Sequence, residues 1–153
     1  MQSSKKKVLI VLSLVLAFIG FLDATYLTAV HYTGSNLVCY ISTDCDSVTT
    51  SKYATIGFVP VSLIGSGYYL FALVLLLIYL MEGFRKVLSW LQLLFAVAFL
   101  FSLYFVYLQL FVIHALCFYC VTSATVTTLL LISSIILKLP PKAGKGEKND
   151  QLL

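Results

Sequence analysis

Residues 87–137 read VLSWLQLLFAVAFLFSLYFVYLQLFVIHALCFYCVTSATVTTLLLISSIIL, 51 consecutive positions without a formal charge. As a helix rising about 1.5 Å per residue, this run is far too long for one crossing of a hydrocarbon core about 30 Å thick. It must turn back once. The least apolar point near its middle is Ile113-His114-Ala115-Leu116-Cys117, which divides the run into spans of about 88–112 and 116–139. Two further apolar stretches precede it: residues 8–30, interrupted only by Asp23, and residues 59–81, inside the charge-free interval between Lys52 and Glu82. The sequence therefore predicts an all-α integral membrane protein, a bundle of four transmembrane helices.

Composition agrees with that reading. Of 153 residues, 61% are hydrophobic and 10% charged, with a mean hydropathy of +1.02. A water-soluble enzyme would expose more apolar surface than water tolerates. Disorder and nucleic-acid binding are excluded too, because the charges are too few to solvate the chain or coat a phosphate backbone. The first stretch has a basic start like a secretory signal, but its apolar part is too long and no small-x-small cleavage site follows, so it is read as a retained span.

The net charge of +4 is explained by topology. Lys5, Lys6 and Lys7 precede the first span, Arg85 and Lys86 separate the second from the third, and Lys138, Lys142, Lys145 and Lys148 close or follow the fourth. The excess of basic residues on cytoplasmic loops predicts that both termini and the turn at 82–86 are cytoplasmic. Residues 31–58 and the turn near His114 are then outside, with Lys52 the one external cation. The basic ends would also lie against anionic lipid. Residues 140–153, rich in Lys and Gly, are expected to form a short disordered tail beyond a membrane domain of residues 1–139.

All four cysteines fall on the predicted outer side. Cys39 and Cys45 lie in the loop between spans 1 and 2, and Cys117-Phe118-Tyr119-Cys120 opens span 4. Positions i and i+3 share a helix face, and a helix N-terminus favours a thiolate at Cys117, so the spacing suits dithiol chemistry on the side of the membrane where disulfides persist. Three pairings of the four cysteines are open. Two structural staples in a non-catalytic tetraspan protein are the main alternative; but a bond between i and i+3 inside a helix is strained, and lability is what an exchange catalyst needs. Zinc is disfavoured, because Cys39 and Cys45 are too widely spaced for a tight knuckle, and no metal is expected. An exchange relay would take electrons at the accessible loop pair and pass them to the pair at the membrane surface. Its final acceptor should dissolve in lipid, and a quinone fits; Tyr26, Tyr68, Tyr69, Tyr104, Tyr107 and Tyr119 are candidate ring contacts, although any of them also suits an interfacial aromatic belt.

The motifs Gly20-x-x-Asp23-x-x-Tyr26-Leu27-Thr28, Cys39, Cys45, Val48-x-x-Ser51-Lys52-Tyr53-Ala54, Gly57, Pro60-x-Ser62-x-x-Gly65 and Cys117-x-x-Cys120 together resemble the vitamin K epoxide reductase family over residues 8–137. The resemblance implies a bundle around a quinone of the menaquinone or ubiquinone type, with the loop between spans 1 and 2 as a lid. It also implies a prokaryotic cytoplasmic-membrane enzyme that reoxidises a thioredoxin-like partner and so supports disulfide formation in exported proteins. On that likeness Cys39 forms the mixed disulfide with the partner, Cys45 shuttles to Cys117, and Cys120 meets the quinone. Ser51, Ser62 and Gly65 match positions near the ring, and Tyr69 and Asp23 join them as candidate contacts. Pro60, Ser62, Gly65, Ser66 and Gly67 suit close helix packing equally well. Animal members that reduce the epoxide carry Asn and Tyr where this chain has Val61 and Ala124, so epoxide reduction is not expected. No fused thioredoxin domain follows span 4, so the partner is expected to be a separate protein.

Three polar residues and the lid complete the reading. Asp23, an intramembrane carboxylate, is expected either to relay protons or to hydrogen-bond a Ser or Thr neighbour. His114, three residues before Cys117, and His31 are placed near the outer interface. Val48, Tyr53, Ile56 and Phe58 among polar residues predict a half-helix lying over the site, where it would exclude water. A thiol oxidase of the other quinone-linked bundle family is argued against by the position of Cys117 and Cys120 at a helix start.

Overall fold

The computed structural model describes residues 2–34 and 45–138. Four long helices dominate it: α1 (Gln2–Thr33), α3 (Val61–Glu82), α4 (Arg85–Tyr107) and α5 (Phe118–Lys138). Each is long and apolar enough to cross a membrane. The four-span expectation is met, and so is the position of the reversal in the 51-residue run: α4 continues into a π-helical segment, Leu108–Ile113, that ends at His114 in the left-handed region with φ 55°. The expected tail at 140–153 and the side chain of Cys45 lie outside what is described, as does Cys39 altogether.

In lipid, apolar side chains gain little by leaving the surroundings for a helix interface, so close backbone approach and polar ties must hold the bundle. α1 supplies the first. Its buried positions Ile10, Ser13, Ala17, Gly20, Ala24 and Thr28 repeat at intervals of three and four and form one face, nearly all of it small. The large apolar residues point the other way, with Phe18, Leu22, Phe71, Trp90 and Phe111 all exposed to the lipid side. α1 packs extensively on α3 and α5, and α4 on α5, whereas α3 and α4 touch little. The bundle is thus a ring whose loosest seam lies between α3 and α4.

Polar ties complete the packing. Ser13 Oγ lies 2.8 Å from Ser133 Oγ across α1 and α5. Near mid-bundle, Tyr69 of α3 reaches past α1 to α5, where its hydroxyl lies 2.8 Å from Ser123 Oγ and 3.1 Å from Thr127 Oγ1. A Cβ at Gly20 would collide with the Tyr69 ring, so glycine is what lets the tyrosine through.

One end of the bundle is closed by Gly83, whose φ of 68° and N–H bond to the Tyr79 carbonyl end α3 in the usual glycine manner. The six basic residues Lys5, Lys6, Lys7, Arg85, Lys86 and Lys138 gather at this end, where Ile10, Leu88 and Leu137 pack together and Lys138 bonds Gln92 at 2.9 Å. At the other end sits the lid. Its helix is shorter than expected: α2 spans only Cys45–Thr49, and residues 55–60 instead form a hairpin of β1 (Thr55–Ile56) and β2 (Val59–Pro60). The run Thr-Ile-Gly-Phe-Val explains the difference, since glycine breaks a helix and β-branched residues favour strands. Val48 turns inward, but Phe58 at the hairpin tip is fully exposed.

Replacing Gly20 by Ala overpacks the Tyr69 crossing and is expected to cost about 1–3 kcal/mol. Gly65→Ala should cost under about 1 kcal/mol, because its added methyl group would meet Ala24 at an ordinary 3.6 Å. Thermal unfolding of the two variants in one detergent checks the order.

Candidate functional site

The site is built around the reversal between α4 and α5. Cys117 is the N-cap of α5: its carbonyl accepts from the Val121 N–H at 3.1 Å, and the N–H groups of Tyr119 and Cys120 point back at its sulfur. Cys120 stands at the third helical position, so Cys-Phe-Tyr-Cys has the spacing of a capping box, with sulfur in the place of the hydroxyl. Cys117 therefore stands at the mouth of α5, the helix start at which the sequence places it. Both thiols are free.

The two sulfurs face different surroundings. Cys117 is wholly buried and packs with Val48 of α2 and Ala115, under the lid. Cys45, the first residue of α2, stands one helical turn before that valine. Cys120 instead lines a cavity of about 460 Å3 that runs down the bundle from the lid, between α3 and α4, against walls from α1 and α5. Its size and its mostly apolar wall suit a small aromatic ligand.

The electrostatics separate the pair as well. The Cys120 thiol bonds to the Cys117 sulfur and, against the opposing effect of burial and with help from the backbone N–H groups of Cys120 and Tyr119, brings the Cys117 thiol down to about 7. A thiolate is thus available at the lid-side sulfur near neutral pH.

Asp23, Ser51, Ser62, Gly65 and Tyr69, expected near a ligand, all line the cavity. Their bonding divides them. Ser51 donates to the Val48 carbonyl at 2.7 Å and so holds its own lid helix. Tyr69 donates to α5, which makes it a tie between helices more than a free hydroxyl. Gly65 stands against Ala24 and on the cavity wall. Asp23 does not hydrogen-bond a Ser or Thr neighbour through Oδ2: that atom and the Tyr68 hydroxyl are buried without a partner among the described residues. Two orphaned polar atoms on a cavity wall are what a site that bonds a polar ligand leaves behind.

Of the six tyrosines considered, only Tyr68 and Tyr69 line the cavity. Tyr26 and Tyr119 pack on each other with ring centres 5.5 Å apart, while Tyr104 and Tyr107 are exposed on the lipid side. His114 is exposed and serves the chain reversal; His31 lines the cavity. Gln109 was not foreseen. It sits in the π-helical segment, only 2% exposed, lines the cavity, and its Oε1 accepts from the Cys117 N–H at 3.1 Å. The signal was available, for Gln92 and Gln109 are the only amides in the charge-free run.

In a Cys39→Ala/Cys45→Ala background, modification of Cys117 by methyl methanethiosulfonate should rise through a midpoint near pH 7, the reactive form being the thiolate above it. Adding Cys120→Ala removes the main cause of the lowering and should move the midpoint up.

Comparison with known proteins follows the same outline. No curated protein matches the chain at a significant level of similarity. The model of the vitamin K epoxide reductase family matches residues 11–135, a segment that takes in most of the first and last spans, the two spans between them, the lid and both cysteine pairs. Four helices around an apolar cavity, with a Cys-x-x-Cys at its rim, belong to a membrane oxidoreductase, and the chain is a member of the vitamin K epoxide reductase family.

Proposed function

We propose that the protein is a quinone-linked thiol–disulfide oxidoreductase that reoxidises a separate thioredoxin-like protein on the outer face of a prokaryotic cytoplasmic membrane. The division of the Cys117–Cys120 pair carries the reading: one sulfur lies under the lid that bears Cys45, the other opens on the cavity. Two ends of one dithiol thus address two different phases, as a relay from water to lipid requires.

Electrons enter at the loop. The partner's thiolate attacks Cys39 of a Cys39–Cys45 disulfide, a mixed disulfide forms, and the electron pair leaves on Cys45. Cys45 attacks Cys117 of the second disulfide and releases the pair on Cys120. The partner's second thiolate attacks the mixed disulfide, which leaves the partner oxidised and frees Cys39 as a thiolate. Cys39 then attacks Cys45 of the Cys45–Cys117 bond, which returns the first disulfide and leaves Cys117 and Cys120 reduced. α2 is short enough to move as a unit over Cys117, and Val48 covers that sulfur from water meanwhile.

A quinone supplies a sink for two electrons and two protons when bound. The residues present fit it: Asp23 Oδ2 and Tyr68 Oη are the unpaired polar atoms, with Ser62 on the same wall, and the seam between α3 and α4 gives a lipid-soluble molecule a lateral way in. Tyr68 would hold a ring carbonyl by donating a hydrogen bond to it. Asp23, close enough to act electrostatically on both Cys117 and Cys120, takes the thiol proton as Cys120 ionises. That transfer exchanges one anion for another inside the cavity, so the net charge in a medium of low dielectric stays constant. The reading also places both termini in the cytoplasm and the four cysteines outside, by the end at which the basic residues gather.

The test is loss of quinone absorbance with a reduced thioredoxin-like donor, for wild type beside Cys39→Ala and Cys120→Ala. Wild type should turn over and both variants stop; Cys39→Ala should keep its reaction with small dithiols. Three equally inert proteins with stable disulfides would favour a stapled tetraspan scaffold instead. Asp23→Asn is expected to slow turnover by about 100-fold. Tyr68→Phe should weaken quinone binding about tenfold, near 1.4 kcal/mol, with the rate at saturation little changed.

A further inference from the structure

Gln109 lies at the one place where α4 departs from α-helical geometry. The π-helical segment Leu108–Ile113 turns its side chain inward, and π-helical turns recur at functional positions. The carbonyl of Gln109 also accepts the N–H of Ala115 at 3.1 Å, so this one residue holds both the chain reversal and, through Oε1, the N-cap of α5. Because Oε1 accepts from the Cys117 N–H, the other end of the amide is fixed as the donor. That donor reaches the Cys120 sulfur. A buried amide in a membrane span needs partners at both ends, and here the two partners are the two cysteines of the pair.

We propose that Gln109 is a positioning residue of the Cys117–Cys120 pair: its oxygen fixes the backbone of Cys117, and its nitrogen donates to the Cys120 sulfur as charge builds there when the disulfide opens. The inference rests on the relay described above, in which Cys117 is the sulfur attacked. In that step a bond forms between the incoming thiolate and Cys117, the Cys117–Cys120 bond breaks, and the electron pair leaves on Cys120. A leaving thiolate inside an apolar cavity is expensive without a donor aimed at it. The other ionisable groups on this cavity are Asp23 and His31 of α1, Tyr53 of the lid, and Tyr68 and Tyr69 of α3, and none of them donates to Cys120 through a bond seen here. Gln109 works at the cysteine end of the site and is distinct from Asp23 and Tyr68, which are free for the acceptor.

The test uses the full chain with Cys39→Ala and Cys45→Ala, so that only the Cys117–Cys120 disulfide remains, and follows its opening by dithiothreitol. The reagent is oxidised to its cyclic disulfide while the pair is reduced to two thiols, so neither a protein partner nor a quinone is needed. Gln109→Leu should slow the opening about tenfold at pH 7.5, with helical content unchanged. Gln109→Glu keeps the acceptor for the Cys117 N–H but replaces the donor by a carboxylate. It should be at least as slow at pH 8, yet recover to within about threefold of wild type by pH 5.5, as the carboxyl takes up a proton and regains a donor. Comparing variant and wild type at each pH cancels the ionisation of the reagent. An opening rate for Gln109→Leu within twofold of wild type overturns the proposal. So does a deficit in Gln109→Glu that does not change with pH, since a purely structural cap would behave that way, or a trapped adduct on Cys120 in place of Cys117. Failure of the relay itself is a separate result, read from normal turnover by Cys39→Ala.

Discussion

The crossing of Tyr69 beneath Gly20 is the contact on which the rest of the bundle depends. A tyrosine from α3 passes the backbone of α1 and ends on Ser123 and Thr127 of α5, so a single side chain joins three helices. Apolar surfaces in lipid have little reason to leave it for each other, and a buried hydroxyl must find partners within the protein. Both constraints are met at one place. With α1, α3 and α5 tied there, α4 is held mainly through α5 and can stand away from α3, and the space between those two helices becomes the cavity.

The chemistry of the pair follows from how α5 begins. Had Cys117 been inside the helix, both sulfurs would lie on one face and meet one environment. As N-cap it is turned toward the lid, while Cys120 three residues later looks into the bundle. The backbone N–H groups that a helix leaves unpaired at its start become donors to a thiolate, and a second thiol adds another. A thiol under the lid and a thiol on the cavity are then neighbouring residues, separated by less than one turn.

Polar groups in this protein fall into two sets. Ser13, Ser133, Tyr69, Ser123 and Thr127 satisfy one another across helix interfaces and serve packing. Asp23 Oδ2 and the Tyr68 hydroxyl are buried with nothing to bond among the described residues, and both face the cavity. A structure keeps such groups at a penalty unless a ligand or a reaction uses them. The same chemical types therefore divide by partner, which residue identity alone does not reveal.

Much was legible from the chain. A charge-free run too long for one span, with a polar point at His114, determined the reversal and hence four helices, because bilayer thickness converts length directly into number of crossings. The cysteine spacing, the order of the motifs and the basic residues gathered near the predicted inner ends were equally plain, since they are linear patterns. The family followed from them. Tertiary structure decided the rest. That Tyr69 is a tie while Tyr68 is unpaired depends on which way each faces, one residue apart on α3. That Gln109 accepts from the Cys117 N–H depends on a π-helical turn that shifts its angle around the helix axis, and hydrophobic pattern carries no mark of such a turn. The lid was read as a half-helix because its apolar spacing permitted one, but only five of its residues are helical and a hairpin carries the others. Sequence fixes which segments must enter the membrane, through the energy of transferring each residue. Which atoms meet there depends on rotation and depth of whole helices, and those are set only when all four pack together.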